Sequence, residues 1–225
     1  MDAEVLRLVE GVRRELHPLS ERILDHSYLR ALEAGWIERE HLRLFGAQQA
    51  HIIGSDLRSV AMMVARATTE RSRAFFLELL EGERAALKAL GAFRAAVDKG
   101  AGTPVVDEPL PGAFAYGAYV AWLALHASEA EVAGALLINL PVWGANCGRI
   151  ADALRRHYKL TEAQVTFFTL FATAPPGFED RAAAVVAEGL EHGATQAMIQ
   201  RAASLLQGYE LLFWDTMAMA SMAVK

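Results

Sequence analysis

The chain has 225 residues, of which 53% are apolar and 22% charged, and its formal net charge is −5. That length fits one domain, spanning 1–225, that buries a sizeable core without staples, and the apolar share excludes a disordered chain. The acidic balance leaves no basic stripe to meet a nucleic-acid backbone, which removes direct DNA binding from the function classes to consider.

Ala and Leu are abundant and Thr, Ile and Tyr sparse, and apolar residues recur at helical spacing with no sustained alternation, so the predicted class is all-α. A first helix is predicted over residues 2–15, stopping at His17-Pro18, followed by short helices over 19–25 and 28–34, the latter closed by Gly35. Long helices are predicted over 38–66 and 69–97. Residues 99–112, rich in Gly and Pro, read as the one true loop. Helices then follow over 113–127, 128–158 with Pro141 as a kink, 161–174, 178–192 and 195–222. Ser128 with Glu131, and Thr161 ahead of an apolar run, are N-cap signals.

The acidic, mixed N-terminus does not read as a secretion signal. The single cysteine, Cys147, forbids an intramolecular disulfide and fits a reducing, cytoplasmic setting. The uncharged stretch over 111–127 falls short of the about 18 residues a bilayer span needs, so it reads as a buried core helix and no membrane is expected.

The sharpest chemical signal is Glu210, inside Gln207-Gly208-Tyr209-Glu210-Leu211-Leu212-Phe213-Trp214 near the end of an otherwise apolar helix. Helical spacing puts it beside Phe213 and Trp214. A carboxyl held against aromatic surface loses hydration, its pKa rises, and it becomes a proton donor or acceptor near neutral pH. The alternative is a surface glutamate whose stem runs past its neighbours. The seven histidines are scattered and none forms a helical metal-ligand pair, so no metal and no cofactor is expected. The acidic pairs Glu81/Glu83 and Glu129/Glu131 sit at a spacing that points to different helix faces. Phe75/Phe76, Phe167/Phe168/Phe171 and Phe213/Trp214 read as core, and no phosphate loop, GxSxG elbow or CxxC motif is present. Met217, Met219 and Met222 at near-helical spacing suit either a subunit contact or core.

Several segments together resemble the TenA/thiaminase II family: Ser27 to Gly35, the helix opening Glu40-His41-Leu42-Arg43-Leu44-Phe45-Gly46-Ala47-Gln48-Gln49, Glu81-Gly82-Glu83, Ala115-Tyr116 with Tyr119, Leu140-Pro141, and the closing Tyr209-Glu210 with Phe213-Trp214. The resemblance covers roughly residues 20–220 and is most specific at its C-terminal motif. It implies a heme-oxygenase-like multi-helix bundle, a homo-oligomer (dimer or tetramer), and hydrolysis at the exocyclic amine or thiazolium link of an aminopyrimidine in thiamin salvage. Some related proteins of this kind carry a di-iron site instead.

Carried over residue by residue, Glu210 matches the family's catalytic acid and Tyr116 a tyrosine of the pyrimidine pocket. The family's nucleophilic cysteine follows the proline of a Leu-Pro-Cys motif, where this chain has Val142 and then Trp143. A pocket tyrosine four positions on is Asn146, with Cys147 one step away; the aspartate after glutamine is Gln49, and a pocket histidine falls at about Leu87. Each unmet hydrogen bond to a buried polar substrate costs about 1–3 kcal/mol, so the ordinary thiaminase reaction is not expected. What remains is a small-molecule pocket of Glu210, Tyr116, Gln49, Asn146 and His51 among Trp143, Phe213 and Tyr119. Three readings follow: a C–N hydrolase working without the cysteine, a non-catalytic ligand-binding relative, and a metal-dependent oxidase relative, the last disfavoured by the missing histidines.

Overall fold

The computed structural model describes residues 3–99 and 107–222, and among these the chain is helical with no strand. The helices are α1 (Ala3–Leu24), α2 (Ser27–Glu33), α3 (Arg39–Arg66), α4 (Glu70–Asp98), α5 (Pro111–His126), α6 (Glu129–Tyr158), α7 (Glu162–Ala172), α8 (Phe178–Glu191) and α9 (Gln196–Met222). Local chemistry starts several of them. The Thr69 hydroxyl accepts from the Ser72 amide at the head of α4, and Ser128 and Glu131 close a reciprocal capping box on α6.

Two sequence expectations are corrected. The predicted break at His17-Pro18 is absent, and α1 runs through both residues as one helix. Its buried stripe of Val5, Leu8, Val9, Val12, Leu16 and Ile23 keeps helical spacing across the proline. That burial outweighs the one hydrogen bond Pro18 cannot donate. The segment expected to be a buried core helix begins at Pro111, whose fixed φ suits the first helical position, and it is not buried all round: Trp122 is 48% and Leu125 50% exposed. Of the predicted 99–112 loop, residues 100–106 lie outside the described residues. At its end the Gln48 side chain donates to the Glu108 carbonyl at 3.0 Å and accepts from the Leu110 amide at 2.7 Å, tying α3 to the entry of α5. Met217 is buried and Met219 exposed; the Met222 side chain lies outside the described residues.

The topology makes a closed circuit. α3 packs on α4, α4 on α7, α7 on α6, α6 on α9, α9 on α5, and α5 back on α3, while α1 and α2 cover the α6–α9 side and α8 lies on α6 and α4. Two apolar cores fill the ends of this ring. One gathers the C-terminal part of α3, the N-terminal parts of α4, α6 and α9, and α8, around Phe75, Phe76, Leu137 and Leu206. The other gathers α2, α7 and the opposite halves of the same long helices, around Tyr28, Phe45, Phe93, Phe168 and Trp214. Tyr116 packs against both. Each long helix thus contributes one half to each core, and the helix midpoints meet at the waist between them.

Candidate active site

At that waist lies a cavity of about 450 Å³, lined from the middles of α3, α4, α5, α6 and α9 and from the chain that follows α7. The volume is that of a small-molecule pocket. Most of the wall is aliphatic, including Ile52, Val60, Leu79, Val120 and Leu136. Into it project Gln49 and Asp56 from α3, Glu83 from α4, Tyr116 from α5, Asn139 from α6 and Glu210 from α9. Polar groups in the middle of otherwise apolar helices cost free energy unless partnered, so their partners decide the chemistry.

Glu210 is 2% exposed. Its Oε1 accepts from the Trp214 indole at 3.1 Å and its Oε2 from the Asn139 amide at 2.6 Å. Burial pushes the carboxyl up to about 7 against the opposing pull of these two hydrogen bonds. A carboxylate only accepts, which fixes the Asn139 amide: its nitrogen faces Glu210 and also donates to Gln207 Oε1 at 2.6 Å, while its oxygen accepts from the Tyr116 hydroxyl at 2.8 Å. Gln207 in turn donates to Ser20 Oγ on α1 at 3.0 Å. The chain thus ties α9, which carries Gln207, Glu210 and Trp214, to α6 through Asn139, to α5 through Tyr116 and to α1 through Ser20. Tyr116, its ionisation pushed well up by burial and by the charges of Asp56, Glu210 and Glu83, stays a neutral phenol. With its proton given to Asn139, its oxygen is left to accept from a ligand.

The structure places five of the expected site residues, Glu210, Tyr116, Gln49, Trp143 and Phe213, on the cavity wall. Three others lie elsewhere. Asn146 is fully buried and turned to the Ile23 carbonyl and the Arg149 guanidinium. His51 reaches the Asp107 carbonyl at 3.1 Å. Tyr119 stacks between Trp122 and Tyr209, with centroids 5.7 and 5.0 Å away. Cys147 is buried and does not line the cavity; burial and the Glu210 charge hold its thiol well above the usual range.

Sequence reading missed Asp56 and Asn139, set Glu83 aside as half of a pair on different helix faces, and gave Gln207 no role. Each occupies an apolar stripe at helical spacing: Asp56 follows Ile52 and Ile53 and precedes Val60, and Asn139 falls between Leu136 and Trp143. A polar residue on a buried stripe at mid-helix was the available signal. Burial raises the Asp56 carboxyl well above the carboxylate range, with the Glu83 charge adding to it, and pushes Glu83 up to about 7. Among the described residues no group of three or more His, Cys, Asp or Glu side chains is disposed to hold a metal ion.

Solvent-exposed lining residues mark a mouth at Glu78 on α4 and at Ala174 and Pro175 in the turn between α7 and α8. Arg181 Nε meets Glu78 Oε2 at 2.7 Å across it, and Ala174 and Pro175 form its edge. Gly177, at φ 73°, turns the chain there into α8; a side chain at that position would also meet the Arg181 guanidinium at 2.8 Å.

Residues 13–221 match the model of the TENA/THI-4/PQQC family. Solved structures share the fold. A TenA homologue from Pyrococcus furiosus is 17% identical with a TM-score of 0.70, covering 93% of this chain and 99% of its own. One from Pseudomonas syringae is 12% identical with a TM-score of 0.75, covering 93% and 92%. A domain of unknown function with a heme oxygenase-like fold from Shewanella denitrificans is 13% identical with a TM-score of 0.70, covering 95% and 91%. At these identities the likeness establishes the fold, a heme-oxygenase-like helical bundle. No protein of curated function matches the chain by sequence.

Proposed function

The chain belongs to the TENA/THI-4/PQQC family, and from that premise we propose that it hydrolyses a C–N bond of an aminopyrimidine or related amine, as in thiamin salvage, without a cysteine nucleophile. The observation that carries this reading is the Glu210 carboxyl, buried in a ligand-sized cavity, raised to about 7 and aimed by Asn139 and Trp214. Val142 follows Pro141 where the family's nucleophile is expected, and the sole thiol, Cys147, lies off the cavity.

In this mechanism ionised Glu210 takes a proton from water as the water oxygen adds to the carbon bearing the amine. The C–O bond forms first. The C–N bond then breaks, and the proton held by Glu210 passes to the leaving nitrogen, so the carboxylate is regenerated. Tyr116 accepts from a ligand N–H and Gln49 orients the departing amine, while Phe213 and Trp143 pack against the ring.

Glu210→Gln is expected to lower turnover by about 100-fold or more with helicity and Tm preserved, measured by product formation from thiamin, aminopyrimidines and their formylated relatives. Turnover at the wild-type rate in that variant sinks the reading. For wild type, kcat is expected to rise with pH through about 7, because the ionised carboxyl is the working base.

A non-catalytic binding role is the second reading, favoured by the largely aliphatic cavity wall. Thermal stabilisation by these compounds with no product from any of them would establish it. On this reading the protein works in the cytoplasm as a homo-oligomer. The face offered for self-association carries Trp122 and Leu125 on α5 and Leu205, Leu212 and Met219 on α9, all 39% or more exposed, joined through the Tyr119–Tyr209 contact.

A further inference from the structure

The circuit of helices gives the cavity two facing walls. Asn139 and Glu210 stand on the α6–α9 side, Asp56 and Glu83 on the α3–α4 side, and α5, which packs on both α3 and α9, carries Tyr116 between them. The two sides differ in how their polar atoms are met. Both oxygens of Glu210 receive a donor from the protein. On the other wall, Asp56 Oδ1 and Glu83 Oε2 are closed from solvent and receive none.

Asp56 is 7% exposed, and its Oδ1 would lie 3.5 Å from a side-chain carbon added at Gly117, which places it against α5 close to Tyr116. Among the described residues neither carboxyl has a basic partner; the adjacent Arg84 pairs instead with Glu81 at 2.7 Å. Among the described residues the one cation on the cavity lining is Arg181, which meets Glu78 at 2.7 Å. Two carboxyls facing a cavity, Asp56 buried and Glu83 half-buried, each with one acceptor atom closed from solvent and unmet, cost folding free energy. The opposite wall satisfies Glu210 from within, whereas this wall leaves its two carboxyl oxygens open to the cavity.

We infer that Asp56 and Glu83 form a second polar pole of the cavity that binds the protonated amine or amidinium end of the ligand, whose apolar body lies along Ile52, Val60, Leu79 and Val120. An ammonium brings three donors and no acceptor, which is what two unmet carboxyl oxygens require. A hydroxyl or a carboxylate at the same place, with one donor or none, leaves one or both oxygens unmet. The inference rests on the reading of this cavity as a small-molecule site, not on the hydrolysis. Joined to the hydrolysis, it narrows the substrate to a cationic compound whose scissile C–N bond sits at Glu210 while a separate positive nitrogen is held by the α3–α4 wall.

The test is calorimetric titration of the full chain with phenethylamine, phenethyl alcohol and phenylacetate, repeated in Asp56→Asn, Glu83→Gln and Glu210→Gln. The amine is expected to bind about tenfold or more tightly than the alcohol, the acetate more weakly still, on the strength of a charge-assisted hydrogen bond. That ratio is expected to collapse in Asp56→Asn and Glu83→Gln and to survive in Glu210→Gln. Equal affinity for the amine and the alcohol in wild type overturns the inference, as does no binding of the amine, and neither result needs a variant to fold. A preference that persists in Asp56→Asn and Glu83→Gln but vanishes in Glu210→Gln also overturns it, as does stabilisation by manganese(II) alone with no response to the amine. Loss of product in Glu210→Gln together with a retained amine preference separates this pole from the catalytic one.

Discussion

Burial raises the ionisation of Glu210 while Trp214 and Asn139 oppose it, each stabilising the charged form with one hydrogen bond. Trp214→Phe removes one donor and keeps most of the ring. It is expected to move the rising limb of the pH–rate profile above that of wild type, read from kcat between pH 5 and 9. Glu83 makes the complementary case. Its folded pKa of about 7 lies above the ordinary 4.5, so its protonated form is the one favoured in the native state. Its contribution to stability is therefore full below about 4.5 and is lost as pH rises through about 7. The difference corresponds to roughly 3 kcal/mol at most. Glu83→Gln, which carries no charge to bury, is expected to raise Tm at pH 8 and to change it little at pH 4.5, by differential scanning fluorimetry. At this scale Glu210 was legible in the sequence because two aromatics follow it within one turn. Asp56 and Glu83 were equally placed on apolar stripes, but their meeting depends on how α3 lies on α4.

Helix α1 shows one element overruling a local rule. Pro18 is exposed and inside the helix, so it contributes no packing that its replacement would lose. Pro18→Ala restores a donor and relieves the ring clash; it is expected to stabilise the protein by about 1–3 kcal/mol, seen as a rise in Tm and in the midpoint of urea unfolding. Helix α6 shows the reverse dependence. A methyl group at Gly144 would stand 2.5 Å from the Phe171 carbonyl oxygen, so α6 and α7 close only because nothing is there. Gly144→Ala is expected to cost about 1–3 kcal/mol by overpacking and, because Gly144 and Phe171 both line the cavity, to weaken ligand binding measured by the same titration. The capping box at Ser128 and the periodicity of α6 were visible in the sequence, whereas this crossing was not, since a helical glycine looks alike whether it faces solvent or a neighbour's backbone.

For the molecule as a whole, the exposed apolar side chains on α5 and α9 are a feature the fold leaves uncovered. Trp122→Ser with Leu125→Ser is expected to shift the protein to a smaller species in size-exclusion chromatography with light scattering; an unchanged mass rules that face out as the contact. The helical class, most element positions and the family resemblance followed from the sequence alone, because periodicity, caps and Gly/Pro punctuation act within a few residues along the chain. Composition likewise spoke against disorder and nucleic-acid binding. Tertiary structure alone decided the site: Asn146, His51 and Tyr119 lie off the cavity and Asp56, Glu83 and Asn139 line it, since which stripe of each long helix faces the waist is set by the closing of α3, α4, α7, α6, α9 and α5 into one ring. A helix fixes the angle between its own side chains, but only its neighbours fix which of them is buried together with another helix's.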